Sequence, residues 1–203
     1  MIPKAKLLII GGAEDKGDNE PVDIFEQKRE FTRYEILSEL LPPSNKKIEI
    51  ITTGSEIQDE VKQIYQKVFH DMGYNNIGFL PIKKRSEARN NEYLKRVEDT
   101  GAIFFTGGDQ FRLSTILGGT PIVDIIKERY LLDSDFIIAG TSAGAMVMGT
   151  VMITGGGLSE ALRYRNLLTS SGLGILLSCI IDTHFIKRGR FSRLAHAIIM
   201  NPE

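Results

Sequence analysis

Cysteine and histidine are scarce in this chain, and its apolar runs are short. One cysteine, Cys179, among 203 residues excludes an internal disulfide. No two cysteines or histidines have the spacing of a metal site, so we expect no bound metal. No stretch approaches the ~18 apolar residues that span a bilayer, so we expect no membrane association. The apolar run at residues 7–10 is too short for a secretory leader, which predicts a cytoplasmic protein.

Neither sign of charge is in excess. The chain has 25 Lys and Arg against 26 Asp and Glu, without a basic stripe, so we expect no nucleic-acid partner. The glycine-rich motif GGAEDK at residues 11–16 has neither the Gly-x-Gly-x-x-Gly spacing of a dinucleotide site nor the Gly-Lys-Ser/Thr of a phosphate loop. We therefore expect no cofactor.

Short apolar runs alternate with helical patterns along the chain. The predicted strands are residues 7–10, 47–53, 77–82, 102–105, 136–139, 151–154 and 180–183. The predicted helices are residues 31–41 (ended by Pro42-Pro43), 61–72, 92–97, 110–117, 122–132 and 191–200. This alternation and the length predict one α/β domain, with helices on both faces of a mainly parallel sheet.

The motif Gly140-Thr141-Ser142-Ala143-Gly144 lies between a predicted strand and a predicted helix. A serine between glycines at such a turn is typical of a nucleophile elbow, which projects the hydroxyl over the carboxyl edge of the sheet. Phosphate-binding loops and plain tight turns use similar small residues, so the motif alone leaves both interpretations open. Gly11-Gly12 and Gly107-Gly108 also end predicted strands, and ligands bind at that edge of parallel sheets.

A serine hydroxyl needs a base within hydrogen-bond reach. Among the three histidines, His184 directly follows a predicted strand, whereas His70 and His196 fall in helices. We therefore predict His184 as the base; a histidine with a purely structural role at a strand end is the alternative. The apolar run around Cys179 favours a core role for that residue.

Two glycine-rich turns supply candidate donors for an oxyanion hole, the N–H groups of Gly108 and Ala143. A cationic cluster of Lys187, Arg188, Arg190 and Arg193 follows the histidine. Arginines at a helix N-terminus oppose the helix dipole, so the cluster predicts an anionic neighbour. That neighbour is either a substrate carboxylate or an internal one such as Asp182.

Four motifs occur in a specific order: GGAEDK (11–16), FFTGGDQ (104–110), GTSAGA (140–145), and DTHF (182–185) followed by R-x-R-x-x-R (188–193). Together they resemble the cyanophycinase family of serine exopeptidases, which also contains the α-aspartyl dipeptidase peptidase E. The resemblance extends from the first predicted strand to the last predicted helix.

The resemblance implies a three-layer α/β/α sandwich like the class I glutamine amidotransferases, forming one catalytic domain over residues 1–203. It implies Ser142 as nucleophile and His184 as base, acting on an aspartate- and arginine-containing substrate. That substrate is cyanophycin, a poly-aspartate with arginine on each β-carboxyl, released as β-aspartyl-arginine dipeptides. Family members are often homodimers. The implied substrate-binding residues are Asp109, Gln110, Asp182, Arg188, Arg190 and Arg193.

Two departures from the family pattern stand out. Thr183 replaces the glutamine that usually precedes the histidine, which changes the substrate pocket. The family's triad glutamate lies on a strand beyond the closing helix, whereas this sequence ends at Glu203, so we expect the C-terminal strands of the family to be missing.

Three alternatives compete with a cyanophycinase. A peptidase E-type enzyme would cleave α-aspartyl dipeptides instead. A non-catalytic binding protein on the same fold would explain the missing acid. An α/β-hydrolase esterase would place its acid between serine and histidine, where only Glu160 and Asp182 stand, and Asp182 is too near His184 to orient it from a separate loop.

Overall fold

A five-stranded parallel sheet forms the centre of the computed structural model, which describes residues 2–12, 14–16, 34–43, 45–156 and 167–201. Its strands are β1 (Lys6–Ile10), β2 (Ile48–Ile51), β3 (Ile77–Leu80), β4 (Ala102–Phe105) and β5 (Ile137–Thr141), in the spatial order β1-β5-β4-β2-β3. All four neighbouring pairs run parallel. The carboxyl ends of all five strands therefore lie at one edge, where the glycine-rich turns begin.

Seven α-helices accompany the sheet in the described part of the chain. They are α1 (Glu35–Ser38), α2 (Gln58–Asp71), α3 (Asn91–Asp99), α4 (Gln110–Leu117), α5 (Pro121–Leu132), α6 (Ala143–Met146) and α7 (Phe191–Met200). Outside the main sheet, β6 (Val151–Gly155) and β7 (Leu168–Ser171) form an antiparallel pair. No helix among the described residues is both long enough and apolar enough to cross a bilayer.

The sheet has a buried apolar core on each face. Along β4, Ile103 and Phe105 contribute to the core beneath α3, α4 and α5, whereas Ala102 and Phe104 contribute to the core beneath α1 and α2. Alternate residues of a strand point to opposite faces, so a fully buried strand must be apolar throughout. The α/β fold predicted from the sequence is confirmed, and its two cores produce three layers.

The predicted strand at residues 180–183 is wrong, because this segment has no ladder partner and is irregular. Side chains bind its backbone instead: the Asp182 carboxylate accepts from the Thr183 N–H at 2.9 Å, and Arg190 donates to the Thr183 carbonyl at 2.7 Å. One main-chain bond, from the His184 N–H to the Gly11 carbonyl at 2.8 Å, joins the segment to the end of β1.

The helix predicted at residues 31–41 is described only from residue 34, and Phe31 lies outside the described residues, as do Glu160 and Glu203. Its described part, α1, ends at Ser38, before Pro42. The strand at Leu168–Ser171 has the sequence LTSS, too polar to signal a strand by hydrophobicity.

Candidate active site

Ser142 lies at the sharp turn between β5 and α6. Its backbone has φ 52° and ψ −117°, a strained conformation for a residue with a side chain. The flanking glycines are required by close packing: a Cβ on Gly140 would overlap the Gly144 carbonyl, and one on Gly144 would overlap the Phe105 carbonyl. The turn therefore has the small residues and the strain of a nucleophile elbow.

The structure brings Ser142 and His184 together. The Ser142 Oγ lies 3.0 Å from the His184 Nε2, within hydrogen-bond distance. Two contacts with the first turn hold the histidine there. Its backbone N–H donates to the Gly11 carbonyl, and its ring packs directly on Gly12. A Cβ added to Gly12 would lie only 2.5 Å from the ring atoms Cε1 and Nε2. The observed position of the imidazole ring thus requires a glycine at residue 12.

The surroundings of His184 favour its neutral form. Burial lowers the pKa of the imidazole below 6.5, and the positive charges of Arg188 and Arg190 lower it further, while the Glu14 carboxylate acts in the opposite direction. A neutral imidazole at pH 7 can accept the proton of a serine hydroxyl. The geometry and charge of the pair are therefore those of a nucleophile and its base.

Two predicted oxyanion donors have no acceptor among the described residues. The N–H groups of Gly108 and Ala143 make no hydrogen bond there, whereas the Ser142 N–H donates to the Ile10 carbonyl at 3.1 Å. Gly108 has φ 136°, which only glycine adopts readily. The neighbouring Gly107 borders the nucleophile, since a Cβ built there would lie 4.0 Å from the Ser142 Oγ.

Asp109 and Gln110, predicted to bind substrate, already bond within the protein. The Asp109 carboxylate accepts from the N–H groups of Phe111 at 2.7 Å and Arg112 at 3.2 Å, so it caps helix α4. The Gln110 side-chain amide donates to the Ile153 carbonyl at 2.8 Å, which ties α4 to β6.

The arginine cluster divides into buried and exposed members. Arg193 binds both oxygens of the Asp182 carboxylate, with the Nε–Oδ2 bond at 2.9 Å, and Arg190 lies 3.2 Å from Oδ1. The Asp182 side chain is buried, and the two guanidinium groups are nearly so. Asp182 is thus the anion that balances arginines at the start of α7. Arg188 is exposed and forms no ion pair with any described residue.

Glu14 is a neighbour of the site that the sequence analysis did not single out. Its side chain is buried and accepts from the Tyr65 hydroxyl at 2.5 Å and from the Thr141 hydroxyl. The Lys16 ammonium lies 3.5 Å from Glu14 Oε1. Its only signal in the sequence is a carboxylate just after the Gly-Gly turn of the first strand.

The remaining histidines and the cysteine lie apart from this pair. The His70 side chain is exposed on α2, whereas His196 is buried within α7 rather than at a helix end. Cys179 is half-buried, and burial raises the pKa of its thiol, which disfavours the reactive thiolate. Within the described residues, no group of three or more His, Cys, Asp and Glu residues could hold a metal ion.

The chain is similar to known proteins both in sequence and in fold. The chain is 34% identical over 200 residues to the cyanophycinases of Trichormus variabilis and Geminocystis herdmanii, covering 98% of this chain and 63% and 69% of theirs. It thus spans about two thirds of the length of these relatives.

Two solved structures share the fold. A peptidase from an acI-B1 actinobacterium superposes with a TM-score of 0.68 at 24% identity, covering 97% of this chain and 76% of that chain. A putative peptidase E protein from Listeria monocytogenes gives a TM-score of 0.51 at 16% identity, covering 85% of this chain and 75% of that chain. The family model of peptidase family S51 matches residues 7–203, and the chain belongs to that family.

Proposed function

We propose that this chain is a serine exopeptidase that hydrolyses cyanophycin to β-aspartyl-arginine dipeptides. The observation that carries the proposal is the 3.0 Å distance between Ser142 Oγ and His184 Nε2, at a strained elbow beside two N–H groups that bond to none of the described residues. Membership of peptidase family S51 and the identity to cyanophycinases support the reaction and the substrate.

The proposed reaction follows from this geometry. The neutral imidazole of His184 takes the Ser142 proton as Oγ attacks the scissile carbonyl carbon. The N–H groups of Gly108 and Ala143 donate to the oxygen that becomes negative. His184 then gives the proton to the leaving amine. A water molecule next attacks the acyl carbon while His184 takes its proton, and the return of that proton to Ser142 Oγ releases the acyl group. The product is a free dipeptide, and the enzyme is restored.

Charge around the histidine fits a substrate rich in carboxylates. Arg188 and Lys187 are exposed within four residues of His184, so both can reach an anionic chain end. We propose a different role for Asp182, Arg190 and Arg193. Their mutual ion pairs hold the start of α7 against residues 182–184, which positions the histidine rather than binding the substrate directly.

The test is cyanophycin hydrolysis by the wild-type chain and by Ser142→Ala. The wild type should release soluble β-aspartyl-arginine, and Ser142→Ala should be slower by about 10⁴-fold or more, since removal of a catalytic serine costs at least that much. Ser86→Ala is the matched control, because that serine is exposed and its side chain caps nothing. Release by Ser142→Ala at the wild-type rate would refute the proposed nucleophile.

Two further measurements separate the chemistry from the substrate. Covalent labelling by a fluorophosphonate probe that disappears in Ser142→Ala would identify an activated serine without any assumption about the peptide. Cleavage of a free α-aspartyl dipeptide, with no release of β-aspartyl-arginine from cyanophycin, would replace cyanophycin with a peptidase E-type substrate.

A further inference from the structure

The first turn of the chain contacts both members of the proposed dyad. The Ile10 carbonyl accepts from the Ser142 N–H at 3.1 Å, and the Gly11 carbonyl accepts from the His184 N–H at 2.8 Å. Gly12 lies against the imidazole ring. Three consecutive residues thus hold the backbone of the nucleophile, the backbone of the base and the ring of the base. The next described residue, Glu14, places a carboxylate at this junction.

Glu14 connects three elements beneath the site. Its two oxygens accept hydroxyl hydrogens from Tyr65 on α2 and from Thr141, the last residue of β5. Acceptance on both oxygens is the arrangement that an ionised carboxylate takes. Because Thr141 immediately precedes Ser142, this contact fixes the start of the elbow. The side chain is almost wholly shielded from water, so its charge acts on neighbours with little screening.

The charges that face His184 are mostly positive. Arg188, Arg190 and Lys187 all disfavour a second positive charge on the ring, and Glu14 favours it. During the proposed reaction the ring becomes an imidazolium as it takes the serine proton. A buried carboxylate offsets the repulsion of the three cations at that moment.

We propose that Glu14 is a positioning residue of the dyad, which fixes the elbow through Thr141 and stabilises the imidazolium of His184 by its charge. The proposal rests on the proposed function. Besides Thr141, the described residues that face the carboxylate are Lys16, with its ammonium at 3.5 Å, and Tyr65, through its hydroxyl. The described hydrogen bonds of Glu14 go to Tyr65 and Thr141 rather than to Ser142 or His184, so its effect reaches the reaction through Thr141 and through its charge on His184.

The experiment uses Glu14→Gln, which keeps the shape of the side chain and its capacity for hydrogen bonds while removing the charge. The His184 pKa is measured by NMR titration of the ring, with His184→Gln identifying the signal. We expect Glu14→Gln to lower that pKa by about one unit and kcat/KM by about tenfold, since one unit corresponds to that factor. Tyr65→Phe is the matched control: it removes one hydrogen bond to the carboxylate but leaves the charge, so the His184 pKa should stay unchanged.

The outcomes separate a charge effect from a structural one. Equal His184 pKa values in wild type and Glu14→Gln would overturn the proposal, even if activity fell. Should Glu14→Gln fail to fold, Lys16→Met gives the same answer from a partly exposed position. Losing the ammonium leaves the carboxylate unopposed, so the His184 pKa should rise; an unchanged value refutes the proposal. The titration needs no substrate, so a wild type inert towards cyanophycin refutes the proposed function without affecting this test.

Discussion

Gly12→Ala tests whether the first turn holds the imidazole of His184, the proposed base. The added Cβ would lie 2.5 Å from two ring atoms of His184. Ordinary carbon contacts are about 3.5 Å, so the ring must move by roughly 1 Å. Since Ser142 Oγ and His184 Nε2 are 3.0 Å apart, a movement of that size away from the serine breaks their hydrogen bond. A displacement of this size at a catalytic group costs about 10²-fold in rate.

The effect on folding should be smaller than the effect on catalysis. Gly12 has φ 97°, where an alanine is strained by about 1–3 kcal/mol. Thermal unfolding followed by circular dichroism would measure this cost, and hydrolysis of cyanophycin with fluorophosphonate labelling would measure the reactivity. We expect a folded protein with a lower Tm, and kcat/KM reduced by about 10²-fold.

Gly11→Ala is the matched control for this experiment. A Cβ on Gly11 would meet no atom of the described residues within 4 Å, and Gly11 does not have a positive φ. The variant should keep both stability and activity. Equal activities of the two alanine variants would refute the argument that the imidazole needs the space above residue 12.

Two further predictions concern Asp182 and the pH dependence of the site. Asp182→Asn should lower the free energy of unfolding by about 3 kcal/mol, because the nearly buried Arg190 and Arg193 lose their anion; urea unfolding checks this, and exposed Asp135→Asn should change little. On the acid side of the pH profile, the midpoint of the loss of kcat/KM should lie below pH 6.5, because burial and nearby arginines lower the pKa of His184. In the unfolded chain this histidine takes up a proton near pH 6.5, before the folded state does, so unfolding should become easier as pH falls through that value. His184→Gln should remove that part of the slope, and an acid limb above pH 6.5 would contradict the assignment.

Much of the central sheet could be predicted from the sequence because its strands are buried on both faces. The apolar run at residues 102–105 and the helix at residues 110–117 match β4 and α4 as observed. Glycines mark their boundaries, and a glycine where a strand meets a turn is a local signal. The hydrophobic pattern gave a wrong prediction where contacts between side chains and backbone decide the local structure. The run before His184 is apolar, yet its backbone is bound by the side chains of Asp182 and Arg190, so no strand forms.

The candidate site was only partly visible from the sequence. Ser142 and His184 each follow an apolar run that was predicted to end at the carboxyl edge of the sheet, so the sequence predicted that the two lie close together; their catalytic role stays a prediction. Glu14 carried no such signal, because its importance depends on Tyr65 and Thr141, which are 51 and 127 residues away. The pairing of Asp182 with Arg193 was one of the two alternatives that the sequence left open, since a charge pattern does not reveal whether an arginine faces a substrate or an internal carboxylate.

The bond from the His184 N–H to the Gly11 carbonyl links two positions separated by most of the chain. The serine elbow of a nascent chain is therefore synthesised 42 residues before His184, and the pair cannot form until His184 has been made. Under the proposed function, hydrolytic activity arises only when the two ends of the domain meet. Turnover thus reports on completed folding more directly than helix content does, since the helices form locally and the reacting pair does not.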